Sequence, residues 1–377
     1  MNKQSLTHPW RHSTTMQSNI SHISRKDDNF STQNCYVIHE PESSRYIRLT
    51  LAALFLFAAF VGNSIVLRAV STIRGRKPFV YQLMANLAAC ELGAVALKPF
   101  LFFYEETWFE HGWYFGKALC KIIPSLDSLF YTNITITLAG IAVYRCLMMS
   151  TWAPFRVSPF HIKIIFTSIW CVASIMTIPK FFGSNIVPCP VSPEIENCCF
   201  VTWDSYNLNI YILVWTVVVQ YIPLATMVIS YSLVAVKLCK HITNTVNTRS
   251  LPESNQESYK TDLGNIGQNK IELETLPPDN FSAQRESKTK NDVIEMEKNV
   301  LKMMYLIVFS FVFCYTPYSI LFVLFHRGVI RCWKYERIFG AYAIFVLETL
   351  PSALHPLFYG TKSKFFAKAF LRLLTCK

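Results

Sequence analysis

Residues 49–67 read LTLAALFLFAAFVGNSIVL, a run without a single charge that closes on Gly62-Asn63-Ser64-Ile65-Val66. A helix needs roughly 20 mainly apolar residues to cross the hydrocarbon core of a bilayer, and this run has that length. Working outward, six more apolar stretches follow at about 78–104, 122–144, 164–179, 205–236, 303–325 and 338–360, with polar loops between them. The fourth is charge-free only from Ile164 to Pro179 and must recruit flanking residues to span. The expected fold class is therefore an all-α membrane protein, a seven-transmembrane helix bundle with a short amphipathic C-terminal helix. The spans are expected at about 47–71, 79–104, 118–148, 161–182, 205–238, 297–326 and 336–360.

Composition agrees with a lipid-solvated chain. Of 377 residues, 52% are hydrophobic, 15% aromatic and only 16% charged, which excludes an ordinary soluble domain. The net charge of +12 would suit a nucleic-acid partner, but its placement argues against one. Arg68, Arg74, Arg76 and Lys77 follow the first stretch, Arg145, Arg156 and Lys163 separate the third and fourth, and Lys237, Lys240, Lys298 and Lys302 flank the fifth and sixth. Lys362, Lys364, Lys368, Arg372 and Lys377 follow the seventh. All lie on one side of a bilayer if the N-terminus is outside, and the positive-inside rule makes that side cytoplasmic. The third outer loop, with Arg327, Arg331, Lys334 and Arg337, is the exception.

Residues 1–45 hold no apolar core of signal-peptide length, so the first span is expected to serve as an uncleaved targeting signal. This extracellular tail carries the sequons Asn19-Ile20-Ser21 and Asn29-Phe30-Ser31, expected to be glycosylated. Asn133-Ile134-Thr135, inside the third span, and Asn280-Phe281-Ser282, on the inner side, are not. Six cysteines fall outside in this topology, Cys35, Cys120, Cys189, Cys198, Cys199 and Cys332, an even set in the oxidising compartment. Residues 241–292 are too polar to offset the entropy of ordering and are expected to form a disordered third cytoplasmic loop. After the seventh span, residues 362–374 place Lys364, Lys368 and Arg372 on one side and Phe365, Phe366, Ala369, Phe370 and Leu373 on the other, a helix suited to the inner leaflet surface. Cys376 is either a palmitoylation site or a free thiol.

The polar marks, taken in order over residues 46–375, resemble the rhodopsin-like (class A) G-protein-coupled receptors. Gly62-Asn63-Ser64-Ile65-Val66 resembles that family's GNxxV, and Asn86-Leu87-Ala88-Ala89-Cys90-Glu91 its NLAxAD with Glu in place of Asp. Trp113, Phe115, Gly116 and Cys120 match the run into the third helix, Trp170 the fourth helix's tryptophan, and Pro223 and Tyr231 the fifth's proline and tyrosine. Phe311-Val312-Phe313-Cys314-Tyr315-Thr316-Pro317 resembles FxxCWxP, and His355-Pro356-Leu357-Phe358-Tyr359 resembles NPxxY. Pro179, Pro223, Pro317 and Pro356 each remove a backbone hydrogen bond and permit a kink, which suits helices that swing as levers in a two-state device.

The resemblance implies a plasma-membrane, multi-pass receptor with an extracellular ligand and a heterotrimeric G protein inside, and with arrestin and a receptor kinase as further partners. It makes Arg145 the lock of the sixth helix, with Glu297 as its carboxylate partner; a solvated arginine is the bland alternative. Tyr144 stands where the family has an acid, so the lock is expected to open easily. Pro317, Tyr231 and Tyr359 complete the switch set. The family's central sodium site is only partly kept: Glu91 retains the charge, Ile134 replaces a serine and His355 replaces an asparagine. Glu91 and His355 form either a proton-linked pair or a carboxyl group held neutral by hydrogen bonds.

For the ligand, Asp127 stands where amine receptors hold an ammonium, and Lys98 and Glu348 lie at comparable depth. Asp127 is therefore a ligand anchor or half of an internal ion pair with Lys98. Trp215, Tyr315 and Tyr318 complete the candidate lining, and the seventh stretch has no lysine for a Schiff base. Cys198-Cys199-Phe200-Val201-Thr202 resembles the second outer loop of adrenergic receptors, which implies Cys120–Cys199 and Cys189–Cys198 disulfides. Cys35 and Cys332 sit at spacings like those of chemokine receptors, implying a bridge from the tail to the third outer loop. That clamp and the basic loop around it favour a peptide ligand, with a biogenic-amine receptor using Asp127 as the alternative. No nucleophile–base set, metal-ligand spacing or glycine phosphate loop suggests an enzyme, and no cofactor is expected. Two other classes remain: a transporter, which would call for repeated halves or a polar pathway, and a decoy receptor that binds without coupling.

Overall fold

The computed structural model describes residues 42–151, 157–188, 197–249, 299, 302–303, 305–317, 319–320 and 333–374. Helices dominate them: α1 (Glu42–Ser71), α2 (Phe79–His111), α3 (Gly116–Thr151) and α4 (Pro159–Gly183) come first. A two-stranded antiparallel hairpin, β1 (Ser184–Val187) and β2 (Cys198–Val201), precedes α5 (Ser205–Trp215), a π-helical segment (Thr216–Tyr221) and α6 (Ile222–Arg249). The sixth span contributes α7 (Tyr305–Pro317), and α8 (Trp333–Lys362) and α9 (Lys364–Leu374) close the chain. Among the described residues, five helical stretches are long and apolar enough to cross a membrane, the first at Leu49–Ser71 and the fifth at Tyr206–Lys240. Several helices outrun the apolar stretches that announce them, because backbone hydrogen bonding carries on into the polar flanks.

The fourth span shows how. Ser158 caps its start by accepting from the His161 backbone amide, and Pro159 occupies the first turn, where a missing N–H costs nothing. The helix then runs past Lys180 to Gly183. Its large apolar residues Ile164, Val172, Ile175 and Ile178 are exposed, the arrangement expected when lipid is the solvent. The fifth span is interrupted for a different reason. Pro223 lacks an N–H and its ring crowds the carbonyl four residues back, and the turn just before it widens into the π segment, with the Ile222 amide bonding to the Val217 carbonyl. Asp204 caps α5 from outside the span, and hydrogen bonds from the Asn207 side chain and amide hold its carboxyl below the usual range.

α3 is the central post, packed against α2, α4, α6 and the hairpin. α1 lies between α2 and α8 and also meets α9. The main core cluster gathers Leu83, Leu87, Leu138, Ile141, Met227, Phe311 and Tyr359 from five helices. On α9, Phe366 is 1% exposed, with Tyr81 and Tyr359 beside it at ring distances of 5.9 and 5.6 Å, while Lys364, Lys368 and Arg372 face outward. The hairpin was not foreseen in the sequence. Its register pairs Ile186 with Cys199 and Ser184 with Val201, and the Cys120–Cys199 disulfide ties it to the start of α3. Just before that point, Gly116 takes φ 76° so that the Trp113 indole can donate to its carbonyl at 2.8 Å.

Candidate functional site

Beneath the hairpin lies a cavity of about 350 Å³. Its floor and one wall come from α3 through Pro124, Asp127, Ser128 and Tyr131, and the opposite wall from Leu208, Tyr211, Ile212, Trp215 and Thr216 of the fifth span. Cys199, Phe200 and Val201 of β2 close it above, Lys180 and Ser184 flank it, and Ser319 reaches in from the sixth span. The disulfide thus fixes the roof directly over the α3 wall. Trp215 stacks on Tyr131 at 5.3 Å, and Tyr131 meets Tyr315 edge-on at 5.0 Å. This aromatic ladder leads from the cavity wall to the buried Tyr315, 2% exposed.

The acidic group of the cavity is not left open. The Lys98 ammonium sits 3.1 Å from Oδ1 and 3.4 Å from Oδ2 of Asp127, with the two side chains only 10% and 16% exposed. Of the residues the sequence singled out for ligand contact, Asp127 and Trp215 line the cavity, Tyr315 lies under it and Lys98 is tied to Asp127. The side chains of Tyr318 and Glu348 lie outside the described residues. Tyr131, Tyr211, Lys180, Ser184 and Ser319 were missed. Tyr131 could have been found by helical spacing, standing four residues beyond Asp127, whereas Lys180 and Ser184 arrive through the turn from α4 into β1.

Deeper in the bundle, His355 Nδ1 and Glu91 Oε1 are 2.5 Å apart, each side chain 1% exposed. Asn63 Nδ2 donates to the carbonyls of Ala59 and Ser352, both at 3.0 Å, and so ties α1 to α8. The imidazole engages one oxygen of Glu91, the other is buried with no hydrogen-bond partner among the described residues, and the buried Ile134 offers no oxygen. A second network joins three helices: Asn86 donates to Asn133 Oδ1 at 2.7 Å and Thr137 Oγ1 at 2.9 Å, and the Trp170 indole donates to Asn86 Oδ1 at 3.1 Å. Asn133 is fully buried, so the sequon it begins is closed to glycosylation.

Near the C-terminal end of α3, Tyr144 packs edge-on against Phe79 at 5.1 Å. The buried Nε of Arg145 has no hydrogen-bond partner among the described residues. Tyr231 is 3% exposed, and its carbonyl accepts from the Tyr305 hydroxyl at 3.4 Å. Cys198 is also disulfide-bonded, to a cysteine outside the described residues. Glu297, Cys35, Cys189, Cys332, Cys376, Asn19 and Asn29 all lie outside the described residues.

The family profile described as 7 transmembrane receptor (rhodopsin family) matches residues 62–359. The chain is 24% identical over 351 residues to a tachykinin-like peptides receptor of Drosophila melanogaster, covering 89% of this chain and 60% of that receptor. It is 26% identical over 342 residues to the human alpha-1D adrenergic receptor, covering 86% of this chain and 55% of the relative. It is 23% identical over 329 residues to the gonadotropin-releasing hormone receptor of Octopus vulgaris, covering 85% and 73%. The chain spans little more than half the length of the first two. With the profile crossing from Gly62 on the first span to Tyr359 on the seventh, the chain belongs to the rhodopsin-like (class A) family of G-protein-coupled receptors, seven-helix proteins of the membrane.

Proposed function

We propose that the chain is a plasma-membrane receptor, N-terminus outside, that binds an extracellular peptide in the cavity under the hairpin and activates a heterotrimeric G protein. The Lys98–Asp127 ion pair carries the preference for a peptide over an amine. A carboxylate already neutralised by an ammonium of its own chain has little unmet charge to offer a ligand cation. The fifth-span wall adds Trp215, whose buried Nε1 has no hydrogen-bond partner among the described residues and calls for an acceptor on the ligand. One relative is named for tachykinin-like peptides and another for gonadotropin-releasing hormone. The second reading, a biogenic-amine receptor, draws on Asp127 in the cavity lining and on the adrenergic relative.

Ligand binding would act by population shift, the ligand preferring the state in which the sixth span has opened. The test is a library of biogenic amines and neuropeptides applied to membranes of receptor-expressing cells, with nucleotide exchange measured for the parent and Asp127→Asn. A peptide agonist is expected, with potency changed less than about tenfold by the substitution. An amine agonist whose potency falls more than about a hundredfold in Asp127→Asn would replace the peptide reading. Saturable binding with no exchange would mark a non-coupling scavenger.

A further inference from the structure

One buried amide joins the fifth and sixth spans. Gln220, in the π segment, is fully buried, and its Nε2 donates to the Tyr315 carbonyl at 2.8 Å. Its Oε1 accepts a short hydrogen bond from the Ser319 hydroxyl. These partners stand on either side of Pro317, two residues before it and two after. Pro317 supplies no N–H to the helical ladder and crowds the carbonyl four residues back, which weakens this turn of the sixth span. A single side chain from the neighbouring helix therefore brackets that turn. In an apolar bundle a freed amide has no water to turn to, so the bracket resists opening.

The two ends of the helix give the bracket a purpose. On the outer side, Ser319 lines the ligand cavity, so an occupant of the cavity can compete for its hydroxyl. On the inner side the sixth span is packed shut: Met303 and Ile307 are each 2% exposed in one cluster with Tyr231 and Ile141. Helix kinks at proline depend on what re-satisfies the freed backbone and on what packs beside it.

We propose that Gln220 is a positioning residue of the receptor switch: its amide holds the Pro317 turn in the closed arrangement, and a cavity ligand that takes the Ser319 hydroxyl releases it. The release arm rests on the receptor reading above, whereas the holding arm stands on the hydrogen bonds alone.

The holding arm is tested without ligand or G protein. Spin labels on Arg74→Cys and Lys302→Cys report the separation between the loop joining the first and second spans and the inner part of the sixth, in the purified full chain in lipid nanodiscs. The background replaces Cys146, Cys171 and Cys239, which among the described residues are neither buried nor disulfide-bonded, together with Cys376. Gln220→Leu and Ser319→Ala are each expected to shift population to a longer distance, raising the open-to-closed ratio roughly three- to twenty-fold, the span of interhelical hydrogen-bond strengths in membranes. The double variant should open no further than Gln220→Leu, because the bond lost in Ser319→Ala is already gone. A purely structural role predicts lower thermal stability with an unchanged distance distribution, and that outcome overturns the proposal. If Gln220→Leu fails to fold, Ser319→Ala decides alone, its unchanged distribution counting as refutation. Absence of nucleotide exchange in the same preparations would bear on coupling and leave the bracket untouched.

Discussion

A carboxylate inside a membrane-spanning helix is expensive unless something meets it, and this chain meets two of them in different ways. Asp127 takes a lysine from the adjacent helix, at the edge of a cavity where solvent still reaches a little. Glu91 takes an imidazole where none does. Cys90 and Tyr359 are the other titratable groups that interact with Glu91 there. On the reading that the two groups share a proton rather than hold sodium, agonist response of the parent is expected to vary with pH, and His355→Asn to reduce that dependence. Agonist response read across pH and across added sodium checks it. A parent that ignores pH but weakens with sodium would contradict the proton-linked pair.

At the scale of elements, close packing between α1 and α8 depends on one missing side chain. A Cβ on Gly62 would come within 2.7 and 2.8 Å of Cβ and Cγ of Pro356, beside the Asn63 hydrogen bond to Ser352. Since Pro356 is a ring anchored in a helix, it cannot swing aside as a flexible chain would. Gly62→Val is therefore expected to lower stability by about 1–3 kcal/mol through overpacking, seen as reduced thermal stability in detergent and reduced surface yield. Gly140→Ala is the control, because a Cβ there meets nothing within 4 Å. Equal losses in the two variants would show that helix propensity, not the α1–α8 contact, decides the cost.

At the scale of the whole molecule, the two ends of the bundle are connected by a short list of polar and aromatic links. The cavity reaches Tyr315 through Trp215 and Tyr131, Tyr315 touches Phe311 at 4.8 Å, and the same core contains Tyr231 and Tyr359 near the inner face. Arg145 has no acidic neighbour in sequence, since Tyr144 stands before it and packs against Phe79. On the proposed receptor reading, with Glu297 as the partner of Arg145, ligand-independent nucleotide exchange is expected and should rise several-fold in Glu297→Ala, the size of an ion pair of about 1 kcal/mol. Basal exchange equal in parent and variant, at matched surface levels, would remove Glu297 from the lock.

Segment count and family were legible in the chain because they depend on properties that survive without a fold. Apolar length measures bilayer thickness, and rare polar residues in long apolar runs stand out, as Asn63, Glu91, Asp127, Pro317 and His355 do. The fourth span, expected at 161–182, runs Pro159–Gly183, its start set by Ser158 and Pro159 through backbone geometry. Contacts between distant segments could only come from the folded bundle. Glu91 and His355 lie 264 positions apart, and whether they meet depends on helix rotation and on which spans are neighbours. Lys98 and Asp127, left in the sequence as an ion pair or an anchor, come within 3.1 Å because α2 packs directly on α3. Gln220 carried no sequence signal at all. A lone amide in an apolar run gains meaning only when the π segment and the Pro317 turn of the next helix bring Tyr315 and Ser319 to it.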